Sequence, residues 1–138
     1  MRSNAALYST GMISTALVFL GAGIGGALRH GVNVASPRWL GMGFPYGTMA
    51  INILGSGLMG LVAGWFAFKA GATASQDLRL FLATGILGGF TTFSAFSLDA
   101  VLLWERGEAI PAVIYVVGSV VASLVALVGG LALVRGLT

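Results

Sequence analysis

The chain has 138 residues, of which 57% are hydrophobic and only 8% charged, with a formal net charge of +3. Soluble domains carry about 25% charged residues, so this composition points to an integral membrane protein; its basic residues are scattered singly and offer no cluster for nucleic acid. There is no cysteine and His30 is the only histidine, which excludes disulfides, thiolate catalysis and Cys- or His-rich metal sites.

Four uncharged stretches run over residues 3–28, 39–68, 80–98 and 109–134. Each supplies the roughly 20 residues that a spanning helix needs. Helices are expected near residues 12–34, 46–69, 78–103 and 109–134, as a single four-helix transmembrane domain over residues 1–138 with no soluble part. The first stretch is longer than the roughly 7–15 residues of a signal-peptide apolar region, which suits a retained span. Within it, Gly21-Ala22-Gly23-Ile24-Gly25-Gly26 fits the G-x-G-x-x-G pattern. A dinucleotide site needs that pattern in a soluble βαβ unit, so close helix packing through Gly21 and Gly25 is the better reading. Arg29 ends this stretch. Its side chain either snorkels to the interface or acts as a cation that anchors a helix end or draws anions to a pore mouth.

Pro37 and Pro45 punctuate the expected first loop. Thr48, Asn52 and Ser56 then fall at i, i+4 and i+8, on one face of the second helix. Ser56, Gly60 and Gly64 repeat the small-residue spacing of a close helix crossing. Lys69, Gly71 and the polar run Thr73 to Asp77 form the expected second loop.

The third span carries the strongest local signal, Gly88-Gly89-Phe90-Thr91-Thr92-Phe93-Ser94-Ala95-Phe96-Ser97. Gly-Gly followed by Thr-Thr predicts an interrupted helix at bilayer depth. Irregular backbone there is tolerated only where protein buries it or where it lines a cavity. Carbonyls freed at such a break can coordinate a small cation such as Na⁺. Phe93 and Phe96 lie three apart, and the spacing alone favours packing over a pore role for the positive ring edges. Asp99 is the one acid well inside a span, placed to face water near a helix end or to pair with a base. Glu105 to Glu108 form a tight third loop, and Pro111 sits in the first turn of the last helix, where proline is tolerated. Tyr115, Ser119 and Ser123 make a second polar stripe.

Thr, Ser, Tyr and Asn donate hydrogen bonds without carrying charge. Two such stripes suit a small anion that sheds water, because conduction needs binding weak enough to release. Orientation signals are nearly balanced, with Arg2, Lys69, Arg79 and Arg135 on one side and Arg29, Arg38 and Arg106 on the other. Lys/Arg bias sets topology, so the near tie leaves open a single weakly signalled orientation or an antiparallel pairing of copies inserted both ways. Four short helices also enclose little interior, which favours a homodimer as the pathway-forming unit.

Three strings then carry a family resemblance: Gly25-Gly26-Ala27-Leu28-Arg29-His30, Thr48-Met49-Ala50-Ile51-Asn52-Ile53-Leu54-Gly55-Ser56, and Gly88 to Asp99. In this order, across nearly the whole chain, they resemble the Fluc-type fluoride channels, also called the CrcB family. The resemblance implies an all-α, dual-topology antiparallel homodimer in a bacterial inner membrane. It would be a multi-pass protein with self, fluoride and membrane lipid as its partners and no nucleic acid. It implies passive, fluoride-selective export through two pores, and no enzyme activity. It also implies a structural Na⁺ at the dimer centre, held by carbonyls of Gly88 and Thr91. The pore residues it implies are Thr48, Asn52, Phe93, Ser94, Phe96, Tyr115, Ser119 and Ser123, with Arg29 near the entrance and Asp99 beside it. His30, Phe90, Ala95 and Asp99 depart from the family pattern, where tyrosine, an aliphatic residue, threonine and glutamate are usual.

Two rival readings are a proton-coupled exporter of small cations, of the small multidrug-resistance type, and a non-transporting subunit of a membrane complex. The exporter needs a titratable acid in the membrane, typically in the first helix, yet residues 3–28 contain none. The subunit leaves Asn52 and the broken helix without a purpose.

Overall fold

The computed structural model describes residues 4–70 and 75–137, with side chains from residue 11 onward. Arg2, Gly71 and Thr73, part of the sequence expectations, lie outside the described residues. The described residues form helices joined by short connections, with no strand among them. Four helical stretches are long and apolar enough to cross a membrane: Gly11–Leu40, Tyr46–Lys69, Gln76–Glu105 and Ala109–Gly136. The chain is therefore a multi-pass membrane protein.

The first helix, Asn4–Leu40, runs further than expected. Pro37 lies inside its last turn rather than in the loop. Proline there removes one helical donor, but the helix does not stop until Gly41. Gly41 has φ of 82°, a left-handed conformation that favours glycine, and its N–H closes on the Pro37 carbonyl at 3.1 Å. Arg29 consequently sits well inside the first span and not at its end.

The second helix, Tyr46–Gly64, continues through a π-helical turn, Trp65–Lys69. The third span begins at Gln76–Arg79, with the Ser75 hydroxyl accepting from the Leu78 N–H at 3.4 Å. Asp77 thus belongs to a helical first turn, not to the loop, because Ser75 caps the chain before it. The span widens into π-helical Leu80–Leu87, returns to α at Gly88–Phe90 and then breaks. Thr91 and Thr92 are extended, with φ/ψ of −74°/157° and −151°/118°. Helix resumes as Phe93–Glu105, capped by the Thr92 hydroxyl, which accepts from the Ala95 N–H at 3.2 Å. The interruption expected from Gly-Gly-Phe-Thr-Thr is present.

After the turn at Gly107, with φ of 78°, the last helix spans Ala109–Gly136. An exposed Arg106–Glu108 ion pair, 3.4 Å long, closes that turn.

Glycine seams hold the spans together. A Cβ on Gly25 would collide with the Ile86 carbonyl, and one on Gly89 would lie 2.5 Å from the Ala22 carbonyl. The first helix and the first half of the third span therefore meet backbone to backbone, as the Gly21/Gly25 spacing predicts. Gly60 meets the Leu127 carbonyl, and Gly130 faces the Gly57 carbonyl, joining the second and last helices in the same way. The small core contains Ile51, Leu87, Phe90, Phe96, Leu103 and Tyr115, while most large apolar side chains face outward. That distribution suits a protein solvated by lipid.

Candidate functional site

The break in the third span is fixed by two polar side chains from other helices. Asn52 makes a two-point clasp on Thr92. Its Oδ1 accepts from the Thr92 N–H at 2.9 Å, and its Nδ2 donates to the Thr92 carbonyl at 3.0 Å. Arg29 donates from Nη1 to the Thr91 carbonyl at 3.3 Å. A cation belongs there, because that carbonyl lies at the C-terminal end of the first half-helix, where the peptide dipoles leave partial negative charge. Of the roles open to Arg29, the geometry displays the anchoring of a helix end. The Thr91 hydroxyl turns back to the Leu87 carbonyl at 3.0 Å.

The clasp also frees an oxygen. In an unbroken helix the Thr92 N–H would serve the Gly88 carbonyl, but here it donates to Asn52. Gly88 therefore offers a neutral carbonyl oxygen at the break, close in sequence to the Thr91 carbonyl that accepts from Arg29. Such donors suit a monovalent alkali ion; a divalent ion favours carboxylates. Among the described residues no group of three or more His, Cys, Asp or Glu side chains is placed to hold a metal.

A hollow of about 360 Å³ runs along the outer side of the break. Asn52, Ser56, Thr91, Phe93, Phe96, Ser119 and Ser123 line it, so seven of the residues singled out from sequence converge. Thr92 joins them. Ser119 is 3% exposed, and among the described residues its Oγ is the one buried side-chain polar atom without a hydrogen-bond partner. Leaving a buried hydroxyl unpaired costs about 1–3 kcal/mol, so its presence calls for a reason. The two phenylalanines play different parts. Phe96 is buried against Tyr115, with ring centroids 5.3 Å apart, whereas Phe93 is 78% exposed at the open side of the hollow. Their own centroids are 5.6 Å apart at a tilt of 44°.

A second hollow, of about 400 Å³, opens at the 41–45 loop. Thr48, Asp99, Asn33, Phe44 and Arg106 are among its walls. Arg106 also donates to the Gly43 carbonyl at 3.4 Å, which ties that loop to the third turn. Tyr115 stands between the two hollows and is fully buried. It donates to Asp99 Oδ2 at 3.3 Å on one side and packs on Phe96 on the other, with Phe44 edge-on at 5.6 Å. The polar stripe of the second helix is therefore divided, with Thr48 in the second hollow, termed the vestibule, and Asn52 and Ser56 in the first, termed the groove. Ser94 lies outside the groove lining, its hydroxyl 3.3 Å from the Thr92 hydroxyl.

Thr92, expected from the sequence only as part of the break, is in addition the residue that Asn52 holds and the cap of the following helix. Threonine at the head of an apolar run is a helix-start signal, and that signal was present.

The family described as CrcB-like protein, Camphor Resistance (CrcB), matches residues 16–131. The chain belongs to the CrcB family. It is 59% identical over 122 residues to a Rhodopseudomonas palustris (strain BisB5) protein named Fluoride-specific ion channel FluC, covering 88% of this chain and 97% of that one. A protein of the same name from Methylobacterium sp. (strain 4-46) is 58% identical over 124 residues, covering 90% and 98%. Another, from Mesorhizobium japonicum, is 51% identical over 126 residues, covering 91% and 99%. The residues matched to the CrcB family include the Asn52 clasp, the broken span and the Ser119 groove.

Proposed function

We propose that this chain is a passive, fluoride-selective ion channel. Its membership of the CrcB family and its likeness to proteins named fluoride-specific channels support the reading. The single structural observation that carries it is the unpartnered Ser119 hydroxyl, buried in a groove whose other polar atoms are neutral. An anion entering that groove supplies the acceptor that Ser119 lacks. Fluoride sheds its water at the vestibule and takes hydrogen bonds in turn from hydroxyl and amide donors. The positive edge of Phe96, and of Phe93 at the open side, adds attraction without a fixed charge. No donor in the groove is ionised, so the anion is held weakly enough to leave. The electrochemical gradient drives the movement, and fluoride leaves the cell by it.

The groove is open on one side, and Phe93 there is 78% exposed. A second copy closes it in our reading, as an antiparallel homodimer with one pore per groove. The carbonyls of Gly88 and Thr91 would hold a Na⁺ between the copies. Such an ion would neutralise the carbonyl dipoles at the break and fix the half-helices.

The deciding experiment is reconstitution into liposomes read by a fluoride electrode. Rapid fluoride efflux without chloride efflux is expected. No efflux, or equal loss of both halides, overturns the reading.

A further inference from the structure

At the far end of the second helix lies a third hollow, of about 240 Å³, that shares only Met59 with the groove. Met59, Val62 and Phe66 of the second span wall one side, and Ala83 and Arg79 of the third span complete it. Both π-helical segments contribute, Phe66 from Trp65–Lys69 and Ala83 from Leu80–Leu87. π-Helical turns are rare and frequently mark functional places. The hollow lies where the second span ends and the third begins, beside Trp65, so it opens at one membrane surface.

Its chemistry is amphipathic. The walls are apolar apart from one cation. Arg79 is exposed, and among the described residues its guanidinium has neither an acid nor a hydrogen-bond acceptor. A hydrated inorganic anion would meet the guanidinium but gain nothing from Met59, Val62 and Phe66. An apolar segment of a second copy would fill the walls and leave the cation unanswered. An amphiphile with an anionic head and a hydrocarbon tail answers both. We propose that this hollow seats an anionic phospholipid, its phosphate on Arg79 and one acyl chain along Met59, Val62 and Phe66. Basic pockets between spans bind lipid headgroups through this chemistry. The proposal stands independently of fluoride transport.

The test uses the full chain in phosphatidylcholine vesicles doped with either phosphatidylglycerol or phosphatidylcholine carrying a photoreactive acyl chain. Labelled peptides are mapped after irradiation. Phosphatidylglycerol should label residues 59–67 and 79–83 in preference to phosphatidylcholine, and Arg79→Gln should lower that preference about fivefold, the weight of one basic residue at a charged membrane surface. Arg79→Lys should retain most of it. Arg79 is exposed, so both variants should fold. Equal labelling by the two lipids, a preference unmoved by R79Q, or a crosslink from this hollow to a second copy in place of lipid overturns the proposal. Competition by inorganic phosphate as effective as by unlabelled phosphatidylglycerol also overturns it.

Discussion

The vestibule and the groove meet around Tyr115, which bonds Asp99 of the first and packs on Phe96 of the second, yet they hold different kinds of polarity. The vestibule has an acid and a base in its walls, Asp99 and Arg106. The groove has none, and its polar atoms belong to Asn52, Ser56, Thr91, Thr92, Ser119 and Ser123. Charge is tolerable where water screens it, and neutral donors must serve where lipid-depth protein excludes water. Under the proposed function the two hollows suit successive tasks, gathering the ion and then conducting it without its hydration shell.

Substitutions should break that division unequally. The largest effect is expected from Asn52→Asp, which removes the donor to the Thr92 carbonyl and sets a negative charge in the groove. Fluoride efflux from liposomes should fall by about 100-fold or more, the order expected for a charge at bilayer depth. Undiminished flux would place the pathway elsewhere. Ser119→Ala comes next, and its two effects should have opposite sign. Removing a buried unpaired hydroxyl should raise the thermal stability of the purified protein, while losing a donor to the ion should slow efflux about tenfold. A loss of stability would mean that the hydroxyl is satisfied and structural.

Phe93→Ala should slow efflux about threefold through loss of a ring contact, with dimer formation still seen by gel filtration. The smallest effect belongs to the vestibule. Asp99→Asn keeps an acceptor for Tyr115 and changes only charge. Efflux should shift about twofold at low salt and less in physiological salt, as screening predicts. A salt-independent collapse of transport in D99N would erase the distinction between the two hollows.

Much of this arrangement was legible in the chain. Uncharged runs gave the spans, the Gly21/Gly25 and Gly60/Gly64 spacings gave the seams, and Gly88 to Thr92 gave the break. These are local signals, set by steric size and backbone preference within a few residues. What the chain concealed depends on partners distant in sequence. Asn52 looks like one more donor in a stripe until Thr92, forty positions away, is brought against it. Arg29 looks like the end of a span because charge usually marks one. Its place inside the first helix is explained by the Thr91 carbonyl on a different span. Pro37 looks like a loop residue, but the last turn of a helix tolerates it when a glycine beyond supplies the actual stop.

The clasp on Thr92 has a consequence for how strongly any ion can be gripped. A side-chain amide has two hydrogens and one oxygen, and here one hydrogen and the oxygen are already committed to a peptide unit. Asn52 can lend a traveller at most a single hydrogen. The same is true of each serine along the way, since a hydroxyl carries only one. On the proposed path the result is a relay of single handholds spread along a wall, a geometry in which nothing is caged and every grip is easily let go.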